Sequence, residues 1–442
     1  MRRFVLTLIF VASALGLSAQ MRTSYFMEGS YFRTELNPAL APTRGYVMMP
    51  LLGGVGLSVN NNFFSVQNFI YSRDGHTVTA LDGRVSADEF LSRLPKKGHL
   101  SFDGNINLLG AGFYDKHRMF WNFGVNQHIT ADFTVGKEIF EILKSIGNGC
   151  YDVHSLAFDA TAYTELYLGW NMDVADFVTV GAKVKGLFGI ANVGGSVREM
   201  TANIGSDAIS AAMRGAMRSS GILSSGVAAG QQIAFSHLIS DNLNFSALNS
   251  GGVAVDLGAE VRLLDDRLKL SAAVTDLGFI RWSDKGAAAG DVAFDFYTRG
   301  FNLKDGQEDF ESSGSFISTQ AVSYTRRLNT TLNVGAEYNI LDNHIGFGLL
   351  SHTQFRPLYI STELTASVNF RPAEWFTTTL SHTLCNHNGA GIFGFAFNIH
   401  PKGFNLFMGM DYIDTSFVKW STAVVPKRIK SVNAYIGLGF NL

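Results

Sequence analysis

The sequence predicts an all-β protein, a transmembrane antiparallel β-barrel of about 14 strands with long extracellular loops. Three observations predict it. The last twelve residues alternate: Val432, Ala434, Ile436, Leu438, Phe440 and Leu442 are apolar, and small or polar residues stand between them, with Tyr435 amphipathic. Side chains on a strand point to opposite faces with period two, so one face is oily and the other wet. The composition is 46% hydrophobic and only 16% charged, yet mean hydropathy is just +0.12. After the first twenty residues no apolar stretch reaches the roughly 18 that a membrane helix needs. Apolar residues spread by alternation rather than massed are what a barrel wall requires.

Residues 1–19 read as a signal peptide. Arg2 and Arg3 give the positive start, Phe4 to Leu17 the apolar run, and Gly16-Leu17-Ser18-Ala19 small residues for cleavage. No cysteine follows, so no acylated lipoprotein is expected. Residues 45–442 then read as the barrel. Strands are expected near 45–59, 101–113, 119–131, 157–171, 177–190, 252–263, 268–280, 329–340, 345–353, 358–370, 375–384, 391–399, 404–413 and 431–442. Short connections such as Leu264-Asp265-Asp266-Arg267 and Leu341-Asp342-Asn343-His344 alternate with long ones near 60–100, 132–156, 191–251, 281–328 and 414–430. That is the pattern of tight periplasmic turns and longer outside loops, with both termini periplasmic. Phe316 to Thr325 could add a strand but would break the parity, and it is assigned to a loop.

If the apolar parity faces lipid, the other parity lines the lumen. It would hold Glu165, Lys183, Lys185, Asp256, Glu260, Arg262, Lys269, Glu337 and Glu363. Such mixed charges either pair and close the bore or line water. The last strand, with Tyr435, Ile436, Leu438, Phe440 and Leu442, is the candidate signal for barrel-assembly machinery. Ser206 to Leu223 departs from the pattern: Ile209, Met213, Ala216 and Met217 form a helical stripe with Ser206 or Asp207 as cap and Gly221 as stop, which predicts a short amphipathic loop helix. Gly53-Gly54, Gly194-Gly195 and Gly251-Gly252 are candidate kinks or bulges.

Chemistry-bearing motifs are sparse. The eleven histidines show no metal spacing, and no phosphate or dinucleotide loop stands in context, so no cofactor or metal is expected. Ser351-His352-Thr353 and Ser381-His382-Thr383 place serine and histidine on adjacent, hence opposite-facing, positions, which disfavours a lipid-modifying enzyme. Cys150 and Cys385 permit one disulfide without demanding it. A net charge of −2 gives no reason to expect nucleic acid.

Asn37-Pro38-Ala39 is chemically a turn, and it resembles the N-terminal motif of FadL-like outer-membrane transporters. Tyr25 to Ser30, Leu36 to Pro42, Arg44-Gly45-Tyr46 and Val274 to Ile280 with Trp282 resemble a Bacteroidota barrel family of unknown function, within a FadL-like and PorV-like superfamily. The resemblance implies an outer-membrane barrel whose residues 20–44 form a hatch carrying Asn37, Pro38 and Ala39. It implies passage of a small molecule, with a hydrophobic compound or detergent as candidate ligand. The alternative it offers is a non-transporting scaffold or docking barrel, as in secretion systems. Two departures stand out: the chain ends in Leu442 rather than an aromatic residue, and the inferred lumen is polar rather than oily.

Overall fold

The computed structural model describes residues 22–442 except 75, 145–146, 152–154, 205–208, 222–249, 285–286, 299–309, 317–319, 386–390, 414–416, 421–422 and 427–430. The signal-peptide reading of 1–19 therefore lies outside the described residues.

Fourteen antiparallel wall strands close on themselves. In chain order they are β1 (Tyr46–Met48 and Val55–Asn61), β2 (Lys97–Tyr114), β3 (Phe120–Gly136), β4 (Ala157–Ala175), β5 (Val178–Ile204), β6 (Ser250–Leu263) and β7 (Leu268–Trp282). They continue as β8 (Tyr324–Arg327 and Thr330–Ile340), β9 (Ile345–Phe355), β10 (Ile360–Ala373), β11 (Phe376–Cys385), β12 (Gly391–Ile399), β13 (Asn405–Ile413) and β14 (Ser431–Asn441). Each pairs with its sequence neighbour in the wall. Closure comes from β14, which pairs β13 at Leu406↔Leu438 and β1 at Tyr46↔Asn441. A closed sheet leaves no unpaired edge, the condition for a sheet in hydrocarbon.

The alternation decides which side chains face out. Val184, Leu166, Leu257, Val334, Phe347, Leu364 and Val368 are exposed on the outer surface. The intervening residues are buried and largely polar: Asn122, Asn126, Glu165, Lys183, Asp256, Glu337 and Asn369. This inverts a soluble protein, in which the apolar set is buried.

Two structured regions lie beyond the wall at the long-loop end. Phe63, Tyr71, Val78, Phe90 and Val135 form a small apolar core there. It is roofed by the hairpin Ile70–Arg73 with His76–Thr79 and by helices Ala87–Ser92 and Lys137–Lys144. The second region is an outer sheet in which Ile209–Gly221 pairs with the end of β5 on one side and with Ala287–Thr298 on the other.

That outer sheet corrects the helix expected over Ser206 to Leu223: Ile209–Gly221 is a strand. The physical reason is arithmetic. Ile209, Met213 and Met217 recur every four residues, and four is a multiple of two as well as close to one helical turn. Both edges of the segment find partners, so its backbone bonds are satisfied without a helix. Met217 packs with Val292, Phe158, Val193 and Phe294 on one face of the sheet. Phe310–Phe316 also joins this sheet, whereas Tyr324–Arg327 lengthens β8, so 316–325 adds no wall strand.

The glycine pairs behave differently from one another. Gly194 and Gly195 pair regularly in β5, and Gly251 and Gly252 in β6. At Gly53-Gly54 the wall ladder breaks. Eight residues of β1, from Met48 to Val55, span what four residues of β14 do, from Gly439 to Ile436. The surplus loops outward at Met49 to Leu52, with Leu51 in the left-handed region at φ 64° and both Leu51 and Leu52 half exposed.

Candidate functional site: the filled lumen

Residues 22–44 run inside the barrel. Arg22–Ser24 forms one helical turn and Arg33–Leu36 another. Nearly every residue from Arg22 to Leu40 is buried, although none of this segment is regularly alternating. Its apolar side chains Tyr25, Phe26, Met27, Tyr31, Phe32 and Leu36 pack on inward aromatics of the wall. Tyr31 stacks on Tyr46 at 4.6 Å, and Phe32 meets Phe407 at 4.2 Å. Tyr435 lies behind Phe407, so this residue of the final strand faces inward, while Phe440 and Leu442 point out. Burial pushes the Tyr25 and Tyr31 hydroxyls above the usual tyrosine range.

The polar groups of the segment are matched by the wall. Arg22 pairs with Glu363 and donates to Tyr412, and its backbone N–H donates to Asp411 at 3.1 Å. Glu35 faces Lys183 at 3.3 Å, and Glu28 pairs with Lys269 while accepting from Asn343 at 3.0 Å. Burial alone would raise the Glu28 carboxyl, but Lys269, Arg371 and Arg33 outweigh it and hold it at about 2. Arg371 donates to the Phe26 carbonyl at 2.9 Å and to Glu337 at 2.6 Å.

Asn37, Pro38 and Ala39 form the inner turn of the segment. The Asn37 side-chain oxygen accepts from the Ala39 N–H at 2.9 Å, an Asx turn, and its amide donates to Tyr25 at 3.1 Å. Asn171 donates to the Pro38 carbonyl at 3.0 Å and Asn333 to the Leu36 carbonyl at 2.8 Å. Two wall glycines make room for this turn. A Cβ at Gly181 would stand 2.3 Å from the Pro38 oxygen, and one at Gly258 would stand 2.0 Å from the Asn37 oxygen. Here glycine is required for close approach, not for a special φ.

Above the segment the lumen carries a transverse ionic layer. Lys185 lies 2.7 Å from Asp276, 2.9 Å from Asp256 and 3.4 Å from Glu165. His128 faces Glu165 at 3.3 Å and stacks on Tyr163. Asp276 reaches this layer because its own φ is 57° beside the irregular register at Val255/Leu257. Nearer the short turns, Arg262 binds Asp173 at 3.0 Å and Glu260 at 3.4 Å. The sequence-expected lumen residues Glu165, Lys183, Lys185, Asp256, Glu260, Arg262, Lys269, Glu337 and Glu363 thus point inward, and each contacts an opposite charge.

A third layer crosses the lumen towards the long-loop end. Arg356 lies in the β9–β10 connection, yet pairs with Asp103 on β2 and with Asp132 on β3 at 2.5 Å. Those strands stand on the opposite side of a fourteen-strand circle. Tyr359 stacks on His99 at 4.1 Å, and Lys97 donates to the Leu358 carbonyl at 3.1 Å. Asp159 is held by both Arg326 and Arg218 at 2.6 Å. Sequence reasoning missed Asp103, Asp132, Asp159, Asp276, Arg326, Arg356 and Arg371. The aspartates on β2 and β3 share the inward parity and were open to the same reasoning. Arg356 had no signal, because loop residues carry no period.

The serine–histidine pairs split across the wall as adjacent residues must. His352 is inside, with Nδ1 2.6 Å from Asn333, while Ser351 lines the outer surface. Ser381 is inside on Thr23 at 2.7 Å, and His382 packs edge-on against Phe393, itself exposed on the outer surface. No group of three His, Cys, Asp or Glu residues suited to a metal occurs among the described residues. Cys150 lies on the short strand Gly147–Tyr151 and Cys385 ends β11, but their side chains fall outside the described residues.

No curated protein sequence matches the chain. Solved structures similar to it include the toluene transporter TbuX of Ralstonia pickettii, at 9% identity over 94% of each chain and a TM-score of 0.41. They also include the toluene transporter TodX of Pseudomonas putida, at 9% identity over 93% of each chain and 0.39, and the monoaromatic hydrocarbon channel CymD, at 8% over 96% of each chain and 0.41. A family model, described as a family of unknown function (DUF5723), matches residues 38–411, most of the wall together with the inner turn at Pro38, and the chain belongs to that family.

Proposed function

We propose that this protein is an integral outer-membrane barrel, closed at rest, in which residues 22–44 act as a hatch and a small apolar molecule leaves sideways through the wall at Met49 to Gly54. The lipid bilayer is its first partner, with the exposed apolar belt as the contact surface. The short turns and both termini then face the periplasm, and β14 is the strand that assembly machinery reads.

The break in the β1 ladder carries this reading. It lies directly outside the hatch aromatics: the Tyr31 hydroxyl donates to the Gly53 carbonyl at 2.8 Å. A Cβ on Gly54 would stand 2.1 Å from Phe32. Backbone bonds still bridge the break, from Met49 N–H to Leu438, Leu51 N–H to Leu108, Leu438 N–H to Leu52 and Asn107 N–H to Gly54, but out of the regular register. A path along the whole bore would have to part three layers of buried ion pairs, and breaking one such pair costs about 3–5 kcal/mol. An exit past two aromatic rings and a four-residue bulge leaves the ion pairs of the hatch itself in place.

The test is to delete Met49–Leu52, which restores the β1 register. Purified protein in liposomes is assayed for uptake of an apolar fluorescent probe, and folding is checked by heat-modifiable migration. The deletion should fold and abolish uptake. Uptake at the wild-type rate would sink the lateral route.

A scaffold reading is favoured by one feature. At ~3.3 Å per residue, β5 with its 27 residues runs well past the 9–11 residues that a tilted wall strand needs. Its outer half, with Ile209–Gly221 and Ala287–Thr298, offers a rigid surface above the membrane. Wild-type protein that passes no probe under any condition would favour this alternative.

A further inference from the structure

The mouth at the short-turn end holds a pocket of about 350 Å³, between the hatch and the turns after β8, β10 and β12. Its walls include Arg44, Arg371, His400, Glu28, Asn343 and Thr377. Its volume lies within the range of about 300–1,000 Å³ found for small-molecule sites.

Two guanidinium nitrogens there lack an acceptor. Arg44 Nη1 and Arg371 Nε are both buried and unbonded among the described residues. Buried donors are nearly always paired, so two orphans lining one pocket point to a missing acceptor. Arg371 is more than nine-tenths buried and cannot turn to find one. Its other nitrogens are fixed by Glu337, Asn339, Asn343 and the Phe26 carbonyl. Arg44 has no carboxylate within ion-pair distance among the described residues. The Glu28 charge is already matched by Lys269, and Asp342 and Glu374 are exposed at the rim. The His400 ring packs against the Gly29 backbone and blocks a deeper escape, since a Cβ on Gly29 would meet it at 2.1 Å.

We infer that this pocket binds a carboxylate, one oxygen accepting from Arg44 Nη1 and the other from Arg371 Nε. A carboxylate offers two acceptors in one plane, which suits two guanidinium donors. It belongs either to a small free acid or to the C-terminus of a peptide. The site goes beyond the lateral route and stands whether or not anything crosses the wall.

Isothermal titration calorimetry on the full chain in detergent tests it, with four probes: succinate, its diamide, a four-residue peptide with a free C-terminus, and the same peptide amidated. At least one carboxylate form should bind and its amide should not. Arg44→Ala should weaken binding about tenfold, and Arg44→Lys less, because an ammonium keeps the charge but loses the planar fork. Arg44 has no partner to lose, so the melting temperature should hold in both variants. A peptide that binds more tightly than succinate identifies a polypeptide source, and equal affinity a free acid. Amides that bind as well as acids, carboxylates that do not bind, or an Arg44→Ala variant with unchanged affinity would each overturn the site.

Discussion

Among the described residues, packed side chains cross the lumen towards both ends, but by different means. At the short-turn end, residues 22–44 fill the bore with an apolar cluster and tie themselves to four wall strands, β5, β7, β10 and β13, through Arg22, Glu28, Glu35 and Asn37. At the long-loop end one connection crosses the diameter, and one buried side chain, Arg356, grips two aspartates. The first closure is distributed and packed. The second rests on one crossing connection, held by Arg356, by the Tyr359–His99 stack and by the Lys97 bond to the Leu358 carbonyl. A distributed plug loses little when one contact goes, whereas a connection held at three points loses a large share of its hold with Arg356. The upper closure is therefore the releasable one.

Removing residues 22–44 is the largest perturbation. It strips the aromatic cluster and leaves Lys183, Lys269 and Glu363 facing water. The barrel should still close, because the β14–β1 pairing lies outside the deletion, but planar-bilayer recordings should show a steady open pore where the full chain is silent. A deletion variant as silent as the full chain would mean that the upper layers alone seal the bore.

Arg356→Ala isolates the latch. It orphans Asp132 and Asp103, and breaking a buried pair from one side costs about 3–5 kcal/mol. Chemical unfolding in micelles should show that loss, and protease should cut the β9–β10 connection faster. Arg356→Met, which fills the space without a charge, should free the connection in the same way. If neither variant changes cutting there, the connection is held by the Tyr359–His99 stack instead.

Gly258→Val probes the packed end more gently. The new side chain enters the space of the Asn37 oxygen, and overpacking of this kind costs about 1–3 kcal/mol. The Asx turn at Asn37 should be displaced, read as a lower melting temperature and as protease access to residues 22–44. Gly186→Val, on the outward parity with open space around it, is the matched control and should be near neutral.

The contrast also explains what was readable in the chain. Lipid on one side and a polar bore on the other force a period of two on every wall strand, so the wall and the inward residues such as Glu165, Lys185 and Glu337 stand out in the sequence. Nothing forces a period on residues 22–40, which are nearly all buried, so the Asn37-Pro38 turn is their one local structural signal and the rest of their legibility is family resemblance. Arg356 is invisible for the same reason. The helix Lys137–Lys144 did carry a signal, since Ile139, Phe140, Ile142 and Leu143 cluster at helical spacing and Ile139 and Phe140 pack on the small outer core. Ile209–Gly221 misled because its stripe repeats every four residues and so fits strand and helix alike.

The finest distinction between the two closures is their response to acid. Glu28 titrates at about 2, below its ordinary 4.5, because Lys269, Arg371 and Arg33 outweigh the effect of burial. A carboxyl depressed on folding contributes stability that is full above its ordinary value and is lost as pH falls through the folded value. The Glu28 tie should therefore be intact at pH 5, weaken below about 4 and vanish near 2. Its size should be about 1 kcal/mol, since the pair is partly exposed. His400, also at this mouth, is held below the usual histidine range by burial and by Arg44, and its protonation would act in the same direction at higher pH. Comparing wild type with Glu28→Gln separates the two groups, because His400 is common to both. Protease access to residues 22–44, followed from pH 7 to 2, should show a difference between the proteins that is constant above pH 5 and shrinks to nothing at the acid end. A difference that instead grows on acidification would mean that Glu28 is strained rather than stabilising in its cluster of cations, and the packed closure would then be the weaker of the two.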